Sequence, residues 1–233
     1  MRMPQAYLDA VGLPLPAAAV AHAVDRLTAT LPGLPQAAPA DLYRYLVPKL
    51  GEGGSCSLVD ELDDTPYNVA PWLGGESEAA AAALLQLHAL VEATLQAAAA
   101  DWLGVYCRFE RDGQARLVKL AYRGLPSRGE FPLTEDFALF SNNSRVGLSG
   151  RAAIVADVAA WQAAGGAYYE CDPKVQSEVC LPVLAVDGRV VGILDAEDAR
   201  PGFFGEAEQA ALVALALALS APFSQLGATV EKS

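Results

Sequence analysis

Two Asp-Gly pairs, Asp112-Gly113 and Asp187-Gly188, each stand between two runs of alternating residues, and they constrain the fold more than any other feature of this chain. Asp-Gly readily supplies the left-handed backbone that a tight hairpin turn demands. Residues 102–110 and 115–122 therefore read as one hairpin, and residues 178–186 and 189–197 as a second. Ser77 caps an expected helix over 78–100, with Leu84, Leu87, Val91 and Leu95 on one stripe, and an apolar helix over 206–223 follows the second hairpin. Residues 124–173 read as crossing loops, broken by a short helix near 150–155. The order of helix, hairpin, loops, hairpin and helix implies an α+β domain, an antiparallel sheet with helices on one face, over residues 77–226. Residues 227–233 read as a tail.

Residues 1–76 read as a helical extension. One helix is expected over 16–31 and another over 41–48 with Asp41 as its N-cap, while 51–54 and 60–72 read as loop. The helices over 78–100 and 206–223 carry alanine and leucine around most of their circumference, so each needs cover on more than one side. A homodimer would supply that cover; the N-terminal arm is the competing explanation.

A hydrophobic fraction of 53% with 19% charged residues provides for a buried core. The net charge of −12 repels phosphate backbones and anionic membranes, which argues against nucleic acid and membrane partners. The longest apolar run, 210–221, is too short to span a bilayer, and residues 1–30 do not read as a secretory signal. The expected setting is the cytoplasm, with reduced thiols. Four cysteines (Cys56, Cys107, Cys171, Cys180) without C-x-x-C spacing and only two histidines give no zinc ligand set, so no metal is expected. Asn142-Asn143-Ser144 formally matches a glycosylation acceptor, which has no meaning inside a cell.

Side chains alternate faces along a strand, so parity decides which residues meet. Glu178 and Cys180 share one face of the second hairpin with Val191, Ile193, Asp195 and Glu197. A two-residue turn at Asp187-Gly188 pairs Val186 with Arg189, and hence Cys180 with Asp195 and Glu178 with Glu197. Carboxylates facing each other destabilise a hairpin unless they are solvated, one is protonated, or a cation is bound. The acids lie at the open end of the hairpin, where Cys171-Asp172 also arrives. On the first hairpin, Trp102, Gly104 and Tyr106 share a face, while Cys107 points the other way with Leu103, Val105 and Phe109 and reads as a buried filler.

In order along the chain stand Trp102/Gly104/Tyr106, Gly147-Leu148-Ser149-Gly150, Asp157-Val158, Cys171-Asp172, Ser177-Glu178 and Leu194-Asp195-Ala196-Glu197. Over residues 78–226 this resembles the GAF-domain free methionine-(R)-sulfoxide reductases, with their W-x-G-x-Y, G-V-C-G, D-V, C-D-x4-S-E and L-D-I-D-S motifs. Two of the three family cysteines are missing: Ser149 replaces the cysteine of G-V-C-G, and another falls at about Leu139. Glu197 replaces an aspartate.

The resemblance implies a GAF fold and reduction of free L-methionine (R)-sulfoxide, with Cys171 as nucleophile. Trp102, Tyr106, Glu178, Asp195 and Glu197 would bind the substrate. It implies no bound cofactor, only an external thiol reductant of thioredoxin or glutathione type. The second thiol could be external, Cys56, or Cys180, which parity puts on the pocket face. Gly147 and Gly150 are expected to bring main-chain N–H groups to the ligand carboxylate. The alternative is a non-catalytic GAF module that binds or senses a small amino-acid-like ligand.

Overall fold

The computed structural model describes residues 3–33, 39, 41–50, 61–166, 168, 169 and 172–230. The chain enters through α1 (Pro4–Val11), started by Pro4 and closed by Gly12 in the left-handed region, and α2 (Ala17–Thr30). The second of these was expected. The helix expected over 41–48 is instead a turn and a strand. The Asp41 side chain accepts from the N–H groups of Tyr43 and Arg44 at 2.9 and 3.1 Å, closing an Asx turn, and β1 (Arg44–Tyr45) pairs antiparallel with β2 (Tyr67–Asn68). Tertiary packing decides this: the Tyr45 ring lies 5.6 Å from that of Tyr67 and 5.4 Å from that of Tyr122 in the main domain.

The main domain opens on α3 (Glu78–Ala98), where Ser77 Oγ accepts from Ala80 N–H as an N-cap. β3 (Trp102–Arg111) and β4 (Gln114–Arg123) follow, joined by Asp112 and Gly113, both at positive φ (54° and 70°), the signature of a type I′ turn. Then come β5 (Glu130–Pro132), α4 (Glu135–Ala138), α5 (Asn142–Ser149), β6 (Ala153–Val155), α6 (Val158–Ala163), β7 (Ser177–Leu184), β8 (Val190–Asp198) and α7 (Glu206–Val230). The six strands β3–β8 form one antiparallel sheet in the order β5-β4-β3-β8-β7-β6.

The α+β class is as expected, but helices cover both faces. The long helices α3 and α7, with α1 and α2, share one core with Leu103, Val105, Cys107 and Phe109. On the opposite face Trp102, Tyr106, Cys180 and Ile193 pack with Phe137 of α4 and Val146 of α5. The short helix expected near 150–155 lies earlier, as α5; Gly150 ends it with φ 67°, and residues 153–155 are the edge strand β6. Those residues extend because they pair with β7.

The N-terminal arm is part of the domain core rather than an appendage. Tyr7, Leu8, Val11, Val20 and Leu27 join the cluster that contains α7, and the Tyr7 hydroxyl donates to Pro182 O at 2.8 Å. The arm thus supplies, within one chain, the cover that the apolar circumference of α7 requires. α7 runs past the expected end at 223 into the expected tail, to Val230. Its stretch Glu206–Gly227, 22 residues, is long and apolar enough to cross a membrane, a length that an uninterrupted apolar run understates. It is a core helix: Leu212, Val213, Leu215, Leu219 and Phe223 are buried in the domain.

The second hairpin reaches the expected register by an unexpected route. Its turn is Ala185 to Gly188, with Gly188 N–H bonded to Ala185 O at 3.0 Å and Gly188 at φ 95°, so Val186 and Asp187 are its central residues. Leu184 pairs with Val190 and Val183 with Gly192, so a bulge at Val191 restores the register. The bulge also turns Val191 to the helix-covered face, away from the acids with which alternation grouped it. Glycine at 192 is obligatory: a Cβ there would lie 2.3 Å from Tyr106 O and 2.5 Å from Phe223 Cδ2. Gly192→Ala is expected to cost about 1–3 kcal/mol, read as a lower urea midpoint at unchanged m.

Candidate functional site

The register brings the expected acids together. Glu178 of β7 pairs with Glu197 of β8, Cys180 with Asp195, and the neighbouring strand β3 sets Trp102 opposite Glu197 and Gly104 opposite Asp195. A Cβ on Gly104 would fall 2.2 Å from the Trp102 ring, so the missing side chain is what lets the indole lie across the strand. The Trp102 and Tyr106 rings stand 6.5 Å apart. All five expected binding residues (Trp102, Tyr106, Glu178, Asp195 and Glu197) line one narrow pocket.

Solvation does not relieve the crowding of acids, because Glu178 and Asp195 are only 5% and 3% exposed. Burial pushes both carboxyls up from the usual range, that of Asp195 strongly, with added repulsion from Glu178 and Glu197. Relief comes from residues that the sequence reading passed over. Asn142 Nδ2 donates to both carboxylate oxygens of Glu178 at 3.0 Å, and Asn143 Nδ2 to Asp195 Oδ2 at 3.0 Å. Arg145 Nη2 donates in turn to Asn142 Oδ1, and the Tyr168 hydroxyl bonds Glu178. Asp195 Oδ1 is buried and has no hydrogen-bond partner among the described residues.

These asparagines begin α5, after the N-cap Ser141, so the positive end of the helix faces the acids. As a glycosylation acceptor the triplet carries no information; as two amides behind a helix cap it could have been read as a buried polar pair. Arg128, from the loop before β5, lines the same pocket and was likewise missed.

The glycine motif does not line the acidic pocket. Gly147 to Ser149 is the last turn of α5, and Gly150 caps it. Leu148, Ser149 and Gly150 lie beside Gly188 and Arg189, at the turn end of the β7–β8 hairpin, whereas the acids lie toward its open end. Gly147 packs its backbone against Leu133 and Leu117. Close packing at Gly147 and helix capping at Gly150, rather than ligand approach, therefore account for this motif.

Cys171, the expected nucleophile, and Cys56 lie outside the described residues. Asp172, next to Cys171, lines a second pocket that shares Trp102, Ser127 and Glu197 with the first. Cys180 is fully buried beneath the acids, donates to Asn143 Oδ1 at 3.2 Å, and has its thiol pushed well up by burial and by Asp195 and Glu178. A thiol so held is a poor source of thiolate. Cys107 is buried on the helix-covered face, as parity predicts, and burial pushes its thiol up as well.

The family model for the GAF domain matches residues 85–221. Protein YtsP of Bacillus subtilis is 30% identical over 125 residues, 54% of this chain and 69% of that protein. A type II free methionine-R-sulfoxide reductase from Thermoplasma acidophilum superposes with a TM-score of 0.54 at 21% identity, covering 64% of this chain and 96% of its own. A structure described as that of the GAF domain superposes with a TM-score of 0.51 at 16% identity, covering 93% and 95% of the two chains. At these identities the superpositions establish the fold.

Proposed function

This chain belongs to the GAF domain family, and on that premise we propose that it reduces free L-methionine (R)-sulfoxide with Cys171 as nucleophile. The observation that carries the reading is Asp195 Oδ1, a buried carboxylate oxygen without a partner among the described residues, in a pocket walled by Trp102 and Tyr106. An ammonium group is the natural partner for such an oxygen, and the aromatic rings suit a methylthio end. The raised carboxyls suit proton delivery, since burial makes each acid easier to protonate and so better able to offer a proton to a sulfoxide oxygen.

The Cys171 thiolate attacks the sulfoxide sulfur, the oxygen moves to the cysteine sulfur with uptake of a proton, and methionine departs, leaving a sulfenic acid. An external thiol condenses with that sulfenic acid, releasing water and forming a mixed disulfide. A second external thiol then restores Cys171 and leaves as the oxidised disulfide. The burial of Cys180 favours an external thiol over that cysteine at the resolving step.

The same two observations support a second reading, a domain that binds the amino acid without turning it over. An NADPH-coupled assay with thioredoxin or glutathione as donor separates the two. Turnover of the (R)-sulfoxide is expected; binding by calorimetry with no NADPH consumption by either donor sinks the reductase reading and leaves the binding one.

A further inference from the structure

With the glycine motif turned away from the pocket, the carboxylate of an amino-acid ligand needs another partner. We propose that Arg128 is that partner, and that the pocket selects a free α-amino acid by reading its ammonium and its carboxylate from two sides. The inference rests on the amino-acid reading above and deepens it.

In the sheet order, β3 lies between β4 and β8, and its Trp102 and Tyr106 form the middle of the pocket. The acids lie on one side of β3, on β8 and β7. Arg128 lies on the other, in the loop that leads into β5. An α-amino acid carries its two charges on a single carbon, so a narrow pocket with acids along one side and a guanidinium along the other matches it. A cation lacking a carboxylate would gain from the acids alone.

The guanidinium is also prepared for the task. Arg128 is 8% exposed, and its Nε donates to Glu130 O at 2.6 Å while Nη1 donates to the Tyr169 hydroxyl at 2.8 Å. The Phe137 and Phe131 rings lie 5.0 and 5.4 Å from its central carbon, and the Tyr106 hydroxyl meets Arg128 O at 3.5 Å. Most of the ordering cost of a long side chain is therefore met before any ligand arrives. A planar fork held in this way suits a carboxylate better than a lysine would.

Calorimetry at pH 7 with L-methionine (R)-sulfoxide and its carboxamide analogue tests the inference. The amide keeps the ammonium and the sulfoxide but loses the negative charge. The wild type is expected to bind the amide about 10- to 100-fold more weakly, the loss of one charge-assisted contact. Arg128→Gln is expected to bind the acid about as weakly as the amide. Should that variant fail to fold, Arg128→Lys keeps the charge without the fork and is expected to retain only part of the preference. Equal binding of acid and amide by the wild type, or an undiminished preference in both variants, overturns the role of Arg128 alone. Binding of neither compound overturns both this inference and the methionine sulfoxide reading.

Discussion

Cys171→Ser is expected to abolish turnover of methionine-(R)-sulfoxide, by about three orders of magnitude or more, while ligand binding stays within a few-fold of wild type. A hydroxyl in place of the thiolate cannot take up the sulfoxide oxygen, and the other described cysteines offer no substitute. Cys107 is sealed on the helix-covered face, and Cys180 is buried against Asn143 under two carboxyls. Cys180→Ser is accordingly expected to keep most of the activity, which would exclude it as the resolving thiol. The NADPH-coupled assay reads turnover, and calorimetry reads binding on the same samples. Full activity in Cys171→Ser would refute the mechanism.

Asp195→Asn is expected to make the ligand-free protein more stable at pH 8 while weakening ligand binding about 10- to 100-fold. The Asp195 carboxyl is raised above its unfolded value by burial and by the neighbouring acids. For such a group the contribution to stability is fully present below the unfolded pKa, about 4, and is lost as pH rises through the folded pKa. Asparagine does not ionise and escapes that loss, and its carbonyl can still accept from Asn143. The gain should therefore be near zero at pH 4 and grow with pH, each kcal/mol appearing as about 2–4 °C in melting temperature. The amide would set a donor where Asp195 Oδ1 stood, which opposes an ammonium. A melting temperature at pH 8 below that of the wild type, or a gain independent of pH, would show that Asp195 is not held at a cost. A protein that tolerates the strain for function should gain stability when function is removed.

Strand parity and turn chemistry are local physics, and they carried the sequence reading a long way. The Asp-Gly pairs located both hairpins, and alternation put Trp102 and Tyr106 on one face with Cys107 on the other. The pairing of Glu178 with Glu197 and of Cys180 with Asp195 was anticipated too, although the turn lies one residue from its expected place. The bulge at Val191 cancels that displacement, and no rule of alternation reveals a bulge in advance. Ser77 as a helix cap and α2 were equally legible, because both depend on neighbours within a turn or two.

Long-range packing decided the rest. Asp41 can cap a helix or close an Asx turn, and the choice falls to the turn because Tyr45 finds Tyr67 and Tyr122 some distance away in sequence. Gly147 to Gly150 reads as a ligand loop in isolation, and becomes the end of α5 because Ser141 starts the helix about two turns earlier and the sheet receives it. That docking brings Asn142 and Asn143 over the acids, and the loop before β5 brings in Arg128. Apart from Val191 at the bulge, the sequence is enough to say which of these side chains share a strand face, since that follows from a two-residue repeat. Which loops and helix ends close over that face, and hence which groups relieve the buried carboxylates, depends on contacts between residues some 36 to 52 positions apart, and only the tertiary structure decided it.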